Sequence, residues 1–98
     1  MIKHMIIWKM KEELTEKRET AAKIKEALEG LVGKIDGLVE MHILTECYDT
    51  SAGDLMMDST FTDRAALAAY QKHPLHMEIS TELVRPVVTE RLSFDYQA

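Results

Sequence analysis

Residues 2–10 alternate with a period of two, which predicts a β-strand at the start of the chain. One face of this strand carries Ile2, His4, Ile6, Trp8 and Met10. Met5 and Ile7 lie on the opposite face, so the middle of the strand is apolar on both sides.

The spacing then changes to three and four residues, which predicts an amphipathic helix over residues 15–31. Thr15 occupies the position expected of an N-cap. Lysine and glutamate fill the rest of the helical wheel. The apolar positions are Ala21, Ile24, Leu28, Leu31 and Val32.

Two further alternating runs, residues 38–48 and 54–61, predict a hairpin whose turn is the segment 49–53, "DTSAG". The first run is expected to place on one face Val39, Met41, Ile43 and Cys47 and on the other Leu38, Glu40, His42 and Leu44. We therefore expect Cys47 to be a buried side chain. The alternation resumes in the second run through Leu55, Met57, Ser59 and Phe61.

Asp63 is predicted to cap a second helix that runs through Tyr70. Pro74 should interrupt that helix and begin another, which is expected to continue to about residue 84, and Pro86 should end it. The residues from 87 onward alternate again and predict a last strand. One face of it would carry Val88, Leu92, Phe94 and Tyr96, and the other Val87, Thr89, Arg91 and Ser93.

The predicted order β-α-β-β-α-β is that of the ferredoxin-like α+β fold, a four-stranded antiparallel sheet with the helices on one face, in one domain over residues 1–98. Four strands about 4.8 Å apart and roughly six residues long leave an uncovered apolar face of around 400 Å². A soluble monomer seldom exposes a larger patch. We therefore expect a homodimer in which two sheets press together and close a dimeric α/β barrel.

Charge and composition argue against several classes of partner. The 12 basic and 17 acidic side chains give a net charge of −5, with no basic stripe to attract nucleic acid. No apolar run approaches the roughly 18 residues of a membrane span. The single cysteine and the absence of signal-peptide features favour a cytoplasmic location.

Known cofactor and metal motifs are missing from the sequence. It has no phosphate-binding glycine loop, no dinucleotide fingerprint and no serine or cysteine triad. His73 and His76 are spaced as a possible ligand pair, but Pro74 between them keeps both rings from sharing a regular helix face. We therefore expect neither a cofactor nor a metal site.

The segment 69–79, "AYQKHPLHMEI", holds the best candidates for chemistry. His73 is the expected N-cap of the helix that begins at Pro74, and His76 lies in its first turn. A histidine near the positive end of a helix dipole stays neutral and can act as a general base. Tyr70 lies one turn earlier, and His4 can reach the same cavity from the first strand.

The same residues also fit purely structural roles. His76 can be a solvated first-turn residue, His4 a hydrogen-bonded core histidine and Tyr70 a core aromatic with its hydroxyl at the rim. The site predicted here has His76 and Tyr70 as catalytic residues. Its binding residues would be His4, Ile6, Trp8 and His73.

Three segments of the chain, "IKHMIIWKMK", "STFTDRAALAAYQKHPLHMEI" and "ERLSFDY", together resemble the stress-responsive α/β-barrel (Dabb) family. The elements that carry the resemblance are Lys3-His4, Tyr70-x-x-His73-Pro74-x-His76 and Asp95-Tyr96. It implies a dimeric barrel of ferredoxin-like subunits. A more distant similarity to the plant polyketide cyclase olivetolic acid cyclase implies His76 as general base, Tyr70 as its hydroxyl partner and His4 in the pocket wall.

Two functions are compatible with these features. The first is a small homodimer that binds a small hydrophobic molecule or contributes to stress tolerance, and the second is a cyclase or lyase that uses His76 and Tyr70 on a carbonyl substrate. No aromatic residue occurs between Trp8 and Tyr48, which argues against a long aromatic polyketide as substrate. A monooxygenase has only fold-level analogy in its favour. A cavity lined by Tyr70 and His76 would favour the enzyme, and a cavity filled by Trp8 and Met77 would disfavour it.

Overall fold

The computed structural model describes all 98 residues, and its elements follow the predicted order. The strands and helices are β1 (Ile2–Met10), α1 (Lys17–Glu29), β2 (Leu38–Leu44), β3 (Leu55–Phe61), α2 (Arg64–Lys72), α3 (Pro74–Ile79) and β4 (Val88–Gln97). A π-helical turn, Ser80–Val84, and a 3₁₀ turn, Arg85–Val87, connect α3 to β4. The order of elements is therefore β-α-β-β-α-α-β. The interruption predicted at Pro74 separates α2 from α3.

The sheet has the strand order β2-β3-β1-β4, and each neighbouring pair is antiparallel. This is the predicted ferredoxin-like arrangement. Strand β1 is paired on both sides, and its predicted inner face, from Ile2 to Met10, is buried at every second residue. Strands β2 and β4 form the two edges of the sheet.

One core of apolar side chains lies between the inner face of the sheet and the helices. Helix α1 contributes Ala21, Ile24 and Leu28, which recur at three- and four-residue spacing and are all buried. Residues from β3 and α2 complete the contact, including Phe61, whose ring centroid lies 4.9 Å from that of Tyr70. The helical spacing in the sequence thus identifies the face of α1 that packs on the sheet.

Helix α1 is also tied to the edge strand β2. The Glu29 carboxylate accepts a hydrogen bond from the backbone N–H of Ile43 at 2.9 Å, and Lys25 donates to the Ile43 carbonyl at 2.9 Å. Lys25 and Glu29 are themselves bonded at 2.8 Å. These contacts satisfy backbone groups that an unpaired edge would leave open.

Two irregularities in pairing change which side chains face the core. The register shifts between Leu38 and Glu40, so Val39 is an extra residue and Leu38, instead of Val39, turns inward. A second shift at the end of β1 places Val88 opposite Met10 and packs it against the core. The predicted faces were wrong at these points because strict alternation fails at a β-bulge.

Some predicted details of the loops and caps differ from the structure. Helix α1 begins at Lys17 and its N-cap is Glu16, so the prediction of Thr15 was wrong. Cys47 is exposed, because β2 already ends at Leu44 and the chain enters a loop. The cap at Asp63 is confirmed, since its carboxylate accepts a hydrogen bond from the Ala66 N–H at 2.8 Å.

The outer face of the sheet carries an open apolar patch. Its exposed side chains include Ile7 at 43%, Leu44 at 48%, Leu92 at 74%, Phe94 at 69% and Tyr96 at 44%. Toward the other end of this face, Lys3 pairs with Asp58 at 2.6 Å, and hydrogen bonding to that carboxylate raises the pKa of Lys3. No helix combines the length and apolar composition that a bilayer-spanning segment requires.

Gly37 and Gly33 allow a direct test of the packing between the β2 entrance and α2. Both have positive φ, +85° and +88°, but a β-carbon on Gly37 would collide with the Ala66 β-carbon, whereas one on Gly33 would meet open space. We predict that Gly33→Ala lowers the free energy of unfolding by about 1–2 kcal/mol through backbone strain alone. Gly37→Ala should cost roughly 1–3 kcal/mol more through overpacking.

Urea unfolding of both variants at one protein concentration measures the difference. Equal losses for the two variants would contradict the contact between Gly37 and Ala66.

Candidate active site

A cleft of about 480 Å³ separates β1 and β4 from the segment that runs from α2 through the π-helical turn. This volume falls within the range of small-molecule sites. His4, Tyr70 and His76 all line the cleft, as the sequence analysis predicted, and Ile6 and Trp8 form part of its apolar wall. Trp8 and Met77 border the space without filling it.

Tyr70 lies at the inner end of the cleft on α2. Its side chain is only 1% exposed, and its hydroxyl has no hydrogen-bond partner. Burial raises the pKa of Tyr70, although the positive charge of Arg91 acts in the opposite direction. The hydroxyl therefore stays protonated at neutral pH and can donate a hydrogen bond to a ligand.

His76 packs against Tyr70, with ring centroids 4.2 Å apart. Its Nδ1 is buried and has no partner. Burial lowers the pKa of His76; the polar backbone of Gln71 opposes this shift, while electrostatic repulsion from His4, Arg91 and Arg85 adds to it. The ring is consequently neutral at physiological pH. The cause differs from the predicted helix dipole, since α3 has only six residues and burial dominates.

His4 is 2% exposed and stands in the middle of the buried face of β1. Its Nδ1 is hydrogen-bonded to the Asp95 carboxylate, which lies opposite it on β4. A carboxylate can only accept a hydrogen bond, so His4 Nδ1 carries a proton. Asp95 is not among the predicted site residues, because finding it requires the pairing register between the first and last strands.

His73 does not line the cleft, although it was predicted to be a binding residue. Its Nδ1 accepts the backbone N–H of Leu75 at 3.1 Å, and Pro74 follows at the first helical position. The predicted N-cap is thus confirmed. Because His73 caps α3 and does not line the cleft, we leave it out of the candidate site.

The comparison with known proteins supports the fold and assigns the family. A model of the stress responsive A/B barrel domain, Dabb, matches residues 2–98. The chain belongs to the Dabb family. No curated protein sequence matches it significantly.

Several solved structures are similar to this Dabb protein at low sequence identity. A dimeric protein of unknown function from Bacteroides fragilis with a ferredoxin-like fold has a TM-score of 0.91 and 20% identity, over 99% of this chain and 95% of that chain. A Dabb family protein from Mesorhizobium loti has a TM-score of 0.76 and 22% identity, over 99% and 95%. The hydroxynitrile lyase from Passiflora edulis has a TM-score of 0.77 and 16% identity, over 97% and 90%. At these identities the similarity establishes the fold alone.

The structure of this Dabb protein contains no group of three or more His, Cys, Asp or Glu side chains placed to hold a metal ion. The two arginines that face the cleft, Arg85 and Arg91, were not identified as site residues from the sequence. The alternation along β4 places Arg91 on the same face as Asp95, and this alternation was the signal that could have identified Arg91 as a site residue.

The lowered pKa of His76 predicts a stability difference that depends on pH. The unfolded chain protonates this histidine near pH 6.5, and the folded chain does so only at lower pH, so acid favours the unfolded state. Relative to His76→Gln, the wild type should lose free energy of unfolding as the pH falls below about 6.5. The loss should level off below the pKa of the folded state.

Urea unfolding at fixed protein concentration, from pH 8 to pH 4.5, measures this difference. The values at pH 8, where His76 is neutral in both states, serve as the reference. Curves for the two proteins that stay parallel over the whole range would contradict the burial of His76.

Proposed function

We propose that this Dabb protein is an enzyme of the lyase or cyclase type that transfers protons on a small carbonyl-related substrate. The observation that supports this most is the pair of unpartnered groups in the cleft, the Tyr70 hydroxyl and His76 Nδ1. Buried polar groups are almost always hydrogen-bonded. Two adjacent exceptions in one cleft are best explained as groups reserved for a ligand.

The two groups suit complementary steps. Neutral His76 takes a proton from the substrate, either from a carbon next to a carbonyl or from a hydroxyl group. Tyr70 remains protonated and donates a hydrogen bond to the oxygen whose charge changes during the step. His4, held by its hydrogen bond to Asp95, forms the wall beside them.

A second candidate function is binding without catalysis, since eight of the 16 residues that line the cleft are hydrophobic. Ile6, Trp8, Leu28 and Met57 would then hold a small apolar molecule. The apolar lining supports the expected binding of a small hydrophobic molecule.

We also propose that the protein is a cytoplasmic homodimer joined through the outer face of the sheet. The exposed apolar side chains of β1 and β4, with Leu44 of β2, supply the surface. The similar protein from Bacteroides fragilis is described as dimeric. A lone exposed cysteine, Cys47, is compatible with a reducing compartment.

The catalytic proposal predicts turnover of simple substrates that depends on both residues. The hydroxynitrile lyase with the same fold suggests small hydroxynitriles and β-hydroxy ketones as test compounds. Aldehyde or ketone release should fall about 10²–10⁴-fold in His76→Ala, because the general base is lost. Tyr70→Phe should also slow the reaction. His73→Asn, which keeps a capping side chain outside the cleft, should leave the rate unchanged.

The two candidate functions give different results in this experiment. Compounds that raise the melting temperature of wild type and His76→Ala equally, without any turnover, would support binding alone. Turnover that survives both substitutions would contradict the proposed roles.

The dimer proposal predicts that a charge on the outer face separates the subunits. Phe94→Asp should shift the sedimentation mass from two chains to one, since an unpaired carboxylate would be buried between the sheets. Ser93→Asp is the matched control, because Ser93 points to the inner face of the same strand. A single-chain mass for the wild type at high concentration would contradict the dimer.

A further inference from the structure

The cleft has two arginines whose charge nothing in the structure neutralises. Arg85 lies in the 3₁₀ turn and Arg91 on β4, and neither forms an ion pair. Arg91 lies opposite Trp8 in the sheet register, so its side chain is on the same face as the apolar wall of the cleft. Both residues are exposed, whereas Tyr70 is buried within.

The charges along the cleft favour an anion. Its lining contains two positive side chains, Arg85 and Arg91. Glu90 also borders the cleft, but it lies opposite Lys9 in the register, so its side chain is on the outer face of the sheet. The Asp95 carboxylate is on the inner face of β4 and is hydrogen-bonded to His4, so this pair adds at most one negative charge. The inner face therefore keeps at least one excess positive charge at the cleft, in a chain whose total charge is −5. A local field of this sign draws anions toward a site that the rest of the protein would repel.

A carboxylate fits these arginines better than a phosphate does. Guanidinium groups bind carboxylates with paired hydrogen bonds. A phosphate monoester carries close to two charges at neutral pH, and the Asp95 carboxylate on the same face of β4 as Arg91 would repel the second charge. The arginines line the same cleft as the uncharged pair of Tyr70 and His76 and are near enough for the charge of Arg91 to act on the pKa of both. A small ligand that is anionic at one end and neutral at the other can therefore contact both pairs of side chains.

We propose that the cleft binds small oxo or hydroxy carboxylic acids, with the carboxylate on Arg85 and Arg91 and the carbonyl or hydroxyl group beside Tyr70 and His76. The placement of the carbonyl or hydroxyl group beside Tyr70 and His76 rests on the proposed function, whereas the placement of the carboxylate rests on the arginines alone. Half of the lining is apolar, which suits the short hydrocarbon chain between the two polar groups. The proposal thus narrows the substrate class from carbonyl compounds in general to those that carry an acid group.

The test compares straight-chain oxo acids of four to eight carbons with their methyl esters, by calorimetric titration of the full-length protein. The esters keep the carbonyl and the chain but lack the charge. Wild type should bind at least one acid about 10-fold more tightly than its ester, since a hydrogen bond to a charged group is worth roughly that factor. Arg91→Gln and Arg85→Gln should each remove this preference without weakening the ester.

Arg64→Gln is the matched control, because it removes the same charge from an exposed helix position outside the cleft. It should keep the full preference for the acid. Arg91→Lys, which retains the charge but loses the paired hydrogen bonds, should give an intermediate value. Melting temperatures of the variants establish that each is folded.

The outcomes separate this inference from the proposed function. If no acid in the series binds more tightly than its ester, or if Arg64→Gln lowers the preference as much as Arg91→Gln does, the anion site is overturned. Tighter binding of inorganic phosphate than of every acid overturns the assignment to carboxylates. A clear preference for the acid without any turnover leaves the anion site standing and contradicts only the catalytic role.

Discussion

The central strand β1 constrains the rest of the molecule, because it is paired on both edges and is apolar on both faces. Its inner apolar face is shielded from water by the helices. Its outer apolar face must be shielded by something other than these helices. The inner face places His4 between Ile2 and Ile6, in the middle of an otherwise apolar stripe. A polar ring at that position must find a partner, and Asp95 on the neighbouring strand supplies it.

Burying a polar group without a hydrogen-bond partner costs free energy, and this cost makes the unpartnered groups in the cleft informative about function. Asp95 satisfies His4, and Ser59 satisfies its own hydroxyl by donating to the His4 carbonyl at 2.7 Å. These two polar groups of the core are hydrogen-bonded, whereas the Tyr70 hydroxyl and His76 Nδ1, which belong to rings packed against each other, have no partner. An apolar residue at either position would avoid that cost. Stability alone does not account for the two side chains.

Periodicity in the sequence predicted the order of elements and most of the buried faces, because alternation and helical spacing depend on local geometry. It failed at Val39 and Val88, where a bulge reverses the alternation without a sequence signal. The same periodicity placed His4, Tyr70 and His76 on converging faces. It could not show that the space between them is empty, because a cleft depends on how far β4 and the helices stand apart.

Residues that act through a neighbour were harder to predict from the sequence than residues that act alone. Asp95 gains its role from the register with His4, and Arg85 gains its position from the 3₁₀ turn that follows an unexpected π-helical turn. His73 shows the opposite error. Its place beside Pro74 predicts both a cap and a binding position, but its side chain serves the cap and lies outside the cleft.

The edge strand β4 connects the two surfaces to which we assign functions. Its alternate residues point outward as Leu92, Phe94 and Tyr96 and inward as Arg91, Ser93 and Asp95. The strand is exposed along most of its length and is paired only with β1. Covering the outward side of β4 with a second sheet would restrict the motion of the strand. This would fix two inward side chains, the Asp95 carboxylate that is bonded to His4 and Arg91 at the cleft. In the proposed dimer, association and the geometry of the site would therefore depend on the same strand.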